Sequence, residues 1–217
     1  MNKYKYKLFG RFKGRKNFNN FPPNFIENYR LDTNKEIDKS KYTILDIGSG
    51  SGENSIYLSE INPNSQIIAC DLFEDGNINL CNQIIENKIK NIFLFQGNVL
   101  ELLDVLNQYS IFDEIWISFP DPWPKVRHHK RRLVNSLFLK LIYSFLKKKG
   151  KIMITSDSKS YIRSISRTVY ECRYLFLWKN QNIEEWNYDL LSLPKTKFNK
   201  KAIKSNRNSM IFKLNKI

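Results

Sequence analysis

The stretch from Tyr42 to Leu58 constrains the fold of this chain more than any other. Tyr42-Thr43-Ile44-Leu45-Asp46-Ile47 is a short buried-strand pattern, Gly48-Ser49-Gly50-Ser51-Gly52 ends it, and Ile56, Tyr57 and Leu58 carry the chain on as a helix. The same rhythm returns. Gln66–Cys70 reads as a second strand ending on Asp71, and Asn91–Gln96 as a third ending near Asn98. Glu114–Ser118 reads as a fourth running into Phe119-Pro120-Asp121-Pro122-Trp123, and Lys151–Thr155 as a fifth ending on Asp157. Helical patterns lie between them. The clearest has Leu133, Leu137, Leu141 and Phe145 beside Val134, Phe138, Ile142 and Leu146, with Gly150 and the lysines before it marking the end. Strands alternating with helices predict an α/β, Rossmann-like, mostly parallel sheet with helices on both faces. Cys172–Trp178 and Ser209–Leu214 read as two late strands without an ordinary helix between them, which predicts an antiparallel pair at the sheet edge.

A length of 217 residues suits one domain with extensions. Residues 1 to 40 lack a sustained period and contain Pro22-Pro23, so they are expected to form a basic, flexible arm and connecting segment ahead of a domain at 41–217. The formal charge is +15 and uneven: residues 1–16 carry seven Lys or Arg and no acid, and every charge after Asp189 is basic. Such an excess favours a polyanionic partner through counterion release. Cys70, Cys81 and Cys172 are odd in number and form no CxxC pair, which indicates neither a disulfide framework nor a zinc site. No apolar run approaches a membrane span, and the basic start lacks a signal's apolar region, so a soluble cytoplasmic protein without a bound metal is expected.

In open α/β sheets ligands bind beyond the carboxyl ends of the strands, and Asp46, Asp71, Asn98, Asp121 and Asp157 all fall at or beside such ends. Asp and Asn also favour turns and caps, so it is their shared location that points to a site. Gly48 and Gly50 let backbone approach a ligand closely, while Asp71, 19 residues beyond Gly52, is placed to accept from ribose hydroxyls. The spacing departs from G-x-G-x-x-G, and Glu53 is electrostatically wrong beside a pyrophosphate. A nucleoside cofactor with a cationic centre and no phosphate fits better.

Asp121 lies between two prolines that lock their own φ and bias the preceding residue towards extended backbone. Directly after it come Lys125, Arg127, His128, His129, Lys130, Arg131 and Arg132. A rigid carboxylate beside a polyanion-binding strip suggests chemistry on nucleic acid. Trp123 is either a stacking platform for a base or cofactor, or packing under the loop. His128 and His129 are adjacent and cannot share a helix face as a metal pair would, so contact with phosphate or 2′-hydroxyl is the better reading. Arg127, Lys130, Arg131 and Arg132 are expected along the RNA backbone, with one or two of them decorating the start of the next helix.

These segments together, Leu45 to Gly52, Asp71, Asn98 and above all the Pro-Asp-Pro-Trp run with its basic tail, resemble the bacterial tRNA (guanine-N7)-methyltransferase family over nearly the whole chain. Phe9-Gly10-Arg11-x-Lys13-Gly14-Arg15 is similar to the family's basic lead-in, and Leu193-Pro194-Lys195-Thr196-Lys197-Phe198 to its late Thr-Lys-Phe-Glu element. The glycine turn is generic to class I methyltransferases; the Pro-Asp-Pro-Trp run is specific. The resemblance implies a seven-stranded class I fold that uses S-adenosylmethionine to methylate N7 of the variable-loop guanosine of tRNA, position 46 in tRNA numbering. It implies that Asp46, Gly48, Gly50, Asp71, Asn98 and Asp121 meet the cofactor, and that Asp121 is the catalytic acidic residue. It places Lys125, Asp157, Thr196, Lys197, Phe198 and Asn199 at the substrate and residues 127–132 on the RNA. The family usually has Glu at positions 46, 71 and 199; at 199 the change to Asn removes a carboxylate from the implied guanosine site. A monomer is favoured.

Guanine N7 carries a free lone pair at neutral pH, so its methylation needs no general base. Asp121 is therefore read as a positioning and electrostatic group more than a proton acceptor. Two other readings stay open: a class I methyltransferase acting on an exocyclic amine, and a tRNA-binding protein with a degenerate cofactor site.

Overall fold

A computed structural model describes residues 26–35 and 37–217, so the basic lead-in at residues 9–15 and most of the expected arm lie outside the described residues. The chain divides into two compact units, the first ending at Gln108 and the second running Tyr109–Ile217.

The first unit is built from β1 (Thr43–Ile47), α1 (Glu53–Ile61), β2 (Gln66–Asp71), α2 (Glu74–Glu86), β3 (Ile92–Gln96) and α3 (Val99–Leu106). Its strands lie in the order β3-β2-β1, all parallel, with Ile44 opposite Ile67 and Ile67 opposite Ile92. Every residue of β1 is buried, as expected of a parallel strand covered on both sides. The segment before β1 is tied to β3: Leu31 N–H donates to the Leu94 carbonyl at 2.7 Å.

The second unit holds β4 (Phe112–Ser118), α4 (Ser136–Phe145), β5 (Leu146–Ser156), α5 (Lys159–Glu171), β6 (Phe176–Trp178), α6 (Ile183–Trp186), α7 (Lys197–Lys204) and β7 (Met210–Lys216). Its strands lie in the order β4-β5-β7-β6; β4 and β5 are parallel, and β7 runs antiparallel to both of its neighbours. The late pair expected from sequence is thus β6 with β7. Seven strands in a mixed, mostly parallel sheet give the class I methyltransferase architecture.

Two local expectations change. The helix before Gly150 stops at Phe145, and β5 already starts at Leu146. Strand pairing wins there because Leu146 pairs with Phe112 of β4 and Lys147 reaches Asp113 at 2.8 Å, contacts that a helical continuation would lose. The helix also begins later than its apolar pattern, at Ser136, because the Asn135 side chain accepts the Phe138 N–H and caps it. Of its two series spaced by four, Val134, Phe138, Ile142 and Leu146 form core, whereas Leu137 is 80% exposed.

Candidate functional site

In the first unit the glycine turn has the left-handed backbone that its sequence requires. Gly48, Gly50 and Gly52 have φ of 73°, 56° and 89°. They serve two ends. A Cβ on Gly48 would meet nothing within 4 Å, whereas a Cβ on Gly52 would lie 2.5 Å from Leu80 Cδ1. Gly52 is therefore a packing glycine that lets α2 approach, and Gly48 borders open space.

Asp71 ends β2 beside this turn. Its Oδ2 accepts the Gly50 N–H at 2.7 Å and its Oδ1 the Phe73 N–H at 2.8 Å. Burial pushes its carboxyl up, and the amides of Phe73, Gly50 and Leu72 pull it back down. Each oxygen retains a second lone pair for a ribose hydroxyl.

Asp46 is next to the last residue of β1. It is completely buried, and its oxygens accept from Asn54 Nδ2 at 2.9 Å and Ser55 Oγ at 2.6 Å. The carboxylate fastens the end of β1 to the first turn of α1. Burial raises it from 3.8 to about 6, against the two hydrogen bonds and with help from Asp71 and Glu53. Asn98 is the N-cap of α3: its side chain accepts the Leu100 N–H at 2.9 Å, and Glu101 closes the capping box. The cap uses its oxygen, so the amide NH2 is the group suited to a base edge.

The residues present fit S-adenosylmethionine. Among the described residues the face at Gly48 is open and Ser49 Oγ is buried without a hydrogen-bond partner, and the local charges are acidic, as suits a sulfonium.

In the second unit β4 leads into the Pro-Asp-Pro-Trp loop, and the loop is strained at both ends. Phe119 has φ of 51° and Trp123 of 43°, although each precedes a proline that favours extended backbone. Left-handed backbone at a bulky residue costs on the order of 1–3 kcal/mol and tends to mark working sites. The surroundings hold both ends. Phe119 N–H donates to the Thr155 carbonyl and to Thr155 Oγ1, both at 3.1 Å, and its ring meets Tyr188 edge-on at 5.5 Å. Trp123 lies under Arg131, whose guanidinium sits 4.9 Å from the ring centroid, and edge-on to His128 at 5.8 Å. The structure therefore gives Trp123 the packing role. Asp121, between these ends, is exposed.

The basic strip is a separate 3₁₀ segment, Val126–Arg131, rather than the start of α4. Its residues divide. Lys125, Arg127 and Lys130 are exposed; His128 and Arg131 hold Trp123; and His129 is half-buried. Burial and the neighbouring Arg131, Lys125 and Lys130 push the His128 imidazole down, which favours its neutral form. Arg132 stands apart from the exposed cations, because it is only 5% exposed and its guanidinium is hydrogen-bonded inside the fold.

The late element also divides. Thr196 is the buried N-cap of α7, and Asn199 is completely buried, with Nδ2 donating to Asp189 Oδ1 at 2.7 Å and Ser209 Oγ at 3.2 Å. Its Oδ1 has no hydrogen-bond partner among the described residues. Lys197 and Phe198 are exposed, the Phe198 ring facing Lys201 Nζ at 5.2 Å. Asp157 is paired with Arg207 at 2.8 Å. Sequence reading missed Arg207, Asp189 and Tyr188. The Tyr188 hydroxyl donates to the Pro194 carbonyl at 2.6 Å while its ring meets Phe119, linking the late element to the loop. None of the three carries a local pattern; only the fold brings them in. No cluster of His, Cys, Asp or Glu among the described residues has the arrangement of a metal site, and no helix there is long and apolar enough to cross a membrane.

The family model described as Putative methyltransferase matches residues 40–212. A tRNA (guanine-N(7)-)-methyltransferase of Wolbachia pipientis wMel is 30% identical over 216 residues, which is 97% of this chain and 94% of that one. The chain belongs to the tRNA (guanine-N7)-methyltransferase family. The Corynebacterium diphtheriae protein of the same name is 34% identical over 66% of this chain and 56% of its own length. Among solved structures, a mutant 16S rRNA (adenine(1408)-N(1))-methyltransferase with cosubstrate SAM from Catenulisporales acidiphilia superposes with a TM-score of 0.55 at 10% identity, covering 82% of this chain and 88% of that one. That likeness concerns the fold. Membership in the family makes S-adenosylmethionine the cofactor.

Proposed function

We propose that this protein transfers the methyl group of S-adenosylmethionine to N7 of the variable-loop guanosine of tRNA. The reading rests on the strained Phe119–Trp123 loop, which presents Asp121 beside the exposed cations Lys125, Arg127 and Lys130. Gly48, Gly50, Asp71 and Asn98 would hold the cofactor, which supplies an electrophilic methyl group on a cationic sulfur.

The nucleophile needs no activation, because N7 of guanine is unprotonated at neutral pH. What the chain must supply is position and charge. Asp121 accepts hydrogen bonds from the N1 and N2 edge of guanine and offsets the positive charge that grows on the purine as N7 is alkylated. No proton has to leave the base for this. Lys125, Arg127 and Lys130 neutralise phosphates, and the exposed Lys197 and Phe198 on α7 extend that surface with a cation and a ring face. Asp157, oriented by Arg207, is the second carboxylate offered to the guanosine. Residues 41–217 act as the methyltransferase domain, the basic segment before them as an RNA-binding arm, and the enzyme works as a cytoplasmic monomer.

The deciding experiment incubates the protein with unmodified tRNA and methyl-labelled S-adenosylmethionine and identifies the labelled nucleoside by mass spectrometry. The expected product is 7-methylguanosine at the variable loop. Label on adenosine, or none with a folded protein, refutes the assignment.

A further inference from the structure

Arg132 ends the most cationic stretch of the chain, yet it is the most buried residue of that stretch. Its Nε donates to the Pro122 carbonyl at 2.9 Å, one residue from Asp121. Its other nitrogens donate to the Ser160 carbonyl at 3.3 Å and to Ser160 Oγ at 3.0 Å, at the start of α5. The guanidinium also lies over the Tyr161 ring, 4.9 Å from its centroid. Tyr161 is completely buried, and its hydroxyl accepts the Val134 N–H at 2.9 Å, so the platform beneath Arg132 is itself fixed by the segment that Arg132 begins. A planar fork with its donors spent on a carbonyl and a helix start, and its face on a ring, has little left for a phosphate.

We propose that Arg132 is a positioning residue, a clamp that holds the Pro-Asp-Pro-Trp loop against α5 so that Asp121 is presented in one place. The loop needs such a clamp. Its two ends carry the left-handed backbone of Phe119 and Trp123, and Asp121 at its centre is flanked by Pro120 and Pro122, which lack N–H groups to donate. The Pro122 carbonyl is the acceptor next to Asp121, and Arg132 takes it. The adjacent Arg131, stacked on Trp123, restrains the far end of the same loop. The basic run therefore does two jobs. Arg127 and Lys130 face solvent as RNA contacts, while Arg132 faces inward and fixes the carboxylate. This inference rests on the proposed role of Asp121 in methyl transfer.

Three variants test it by single-turnover methylation, tRNA binding and salt dependence. Arg132→Lys keeps the charge but loses the fork, and Ser160→Ala removes one partner of the clamp without touching any cation. Arg127→Ala is the control for a phosphate contact. The clamp predicts that Arg132→Lys slows the methylation step by about tenfold or more while tRNA affinity changes by less than about twofold. It also predicts that Ser160→Ala slows the step a few-fold, and that Arg127→Ala instead weakens binding and lowers the salt slope by about one. A wild-type rate in both Arg132→Lys and Ser160→Ala overturns the proposal. So does a pattern in which Arg132→Lys behaves as Arg127→Ala does. If Arg132→Lys does not fold, Ser160→Ala decides alone. Asp121→Asn, measured alongside, separates the two readings: full turnover there removes the role given to Asp121, whereas the clamp stands or falls on Arg132 and Ser160.

Discussion

Replacing Asp46 by Asn should make the protein more stable at neutral pH relative to wild type than it is at acid pH. Asp46 is completely buried, and burial raises its carboxyl from 3.8 to about 6. Because the folded-state value lies above the unfolded one, the ionised group costs stability. The cost is fully present above about pH 6 and disappears below 3.8, where the acid is protonated in both states. A shift from 3.8 to about 6 is about two units, and one unit is worth about 1.4 kcal/mol, so the whole effect is roughly 3 kcal/mol. About 2 kcal/mol of it falls between roughly pH 4.5 and 7.5 by the same linkage. The assay is urea unfolding of wild type and Asp46→Asn across that range. The amide can still accept from Asn54 and can donate to Ser55, and any constant loss in those bonds cancels when the difference is followed with pH. The stability of the variant minus that of wild type should therefore climb by about 2 kcal/mol as pH rises. A flat difference would refute the claim that a buried charge is held there against its own desolvation. At pH 7.5 the variant should also bind S-adenosylmethionine more weakly, since a negative charge beneath the turn is gone.

Asp121→Ala should lose turnover while keeping most of its tRNA affinity, read from single-turnover rates and binding isotherms; equal losses would make it chiefly a binding contact. Gly52→Ala forces a Cβ to within 2.5 Å of the buried Leu80 at a φ of 89°, and denaturation should show a loss of about 2–4 kcal/mol. Gly48→Ala meets no atom within 4 Å, so it should cost only about 1–2 kcal/mol of backbone strain while lowering cofactor affinity by calorimetry; unchanged affinity would move the cofactor away from that face. Arg207→Met should shift stability by less than about 1 kcal/mol, because its pairing with Asp157 is partly exposed, but should raise KM for tRNA. An unchanged KM would remove Asp157 from the guanosine site.

The architecture was legible because its signals are local and repeat. A buried strand, a glycine turn and a helix follow one another in neighbouring residues, and β1 through α1 keeps that order. Strand ends were legible for the same reason. What misled was chemistry whose partner lies far along the chain. Lys147–Lys149 resemble a helix terminus until Phe112 and Asp113 draw the segment into β5. Asn54 and Ser55 enclose Asp46, and Asp189 and Ser209 take the Asn199 amide, partners that no local period announces.

The sequence by itself determined the α/β order, the cofactor type implied by a glycine turn with acids, and the polyanionic nature of the partner, because period, backbone freedom and net charge belong to the chain in any conformation. Only the tertiary structure decided which charges are available. Arg131 and Arg132 are adjacent and chemically identical, yet one holds the Trp123 ring and the other is buried between Pro122 and Ser160. The direction of a side chain, and the desolvation and hydrogen bonds that follow from it, are fixed by residues that only folding brings near. The same positive charge faces solvent at Arg127 and lies buried against the loop at Arg132.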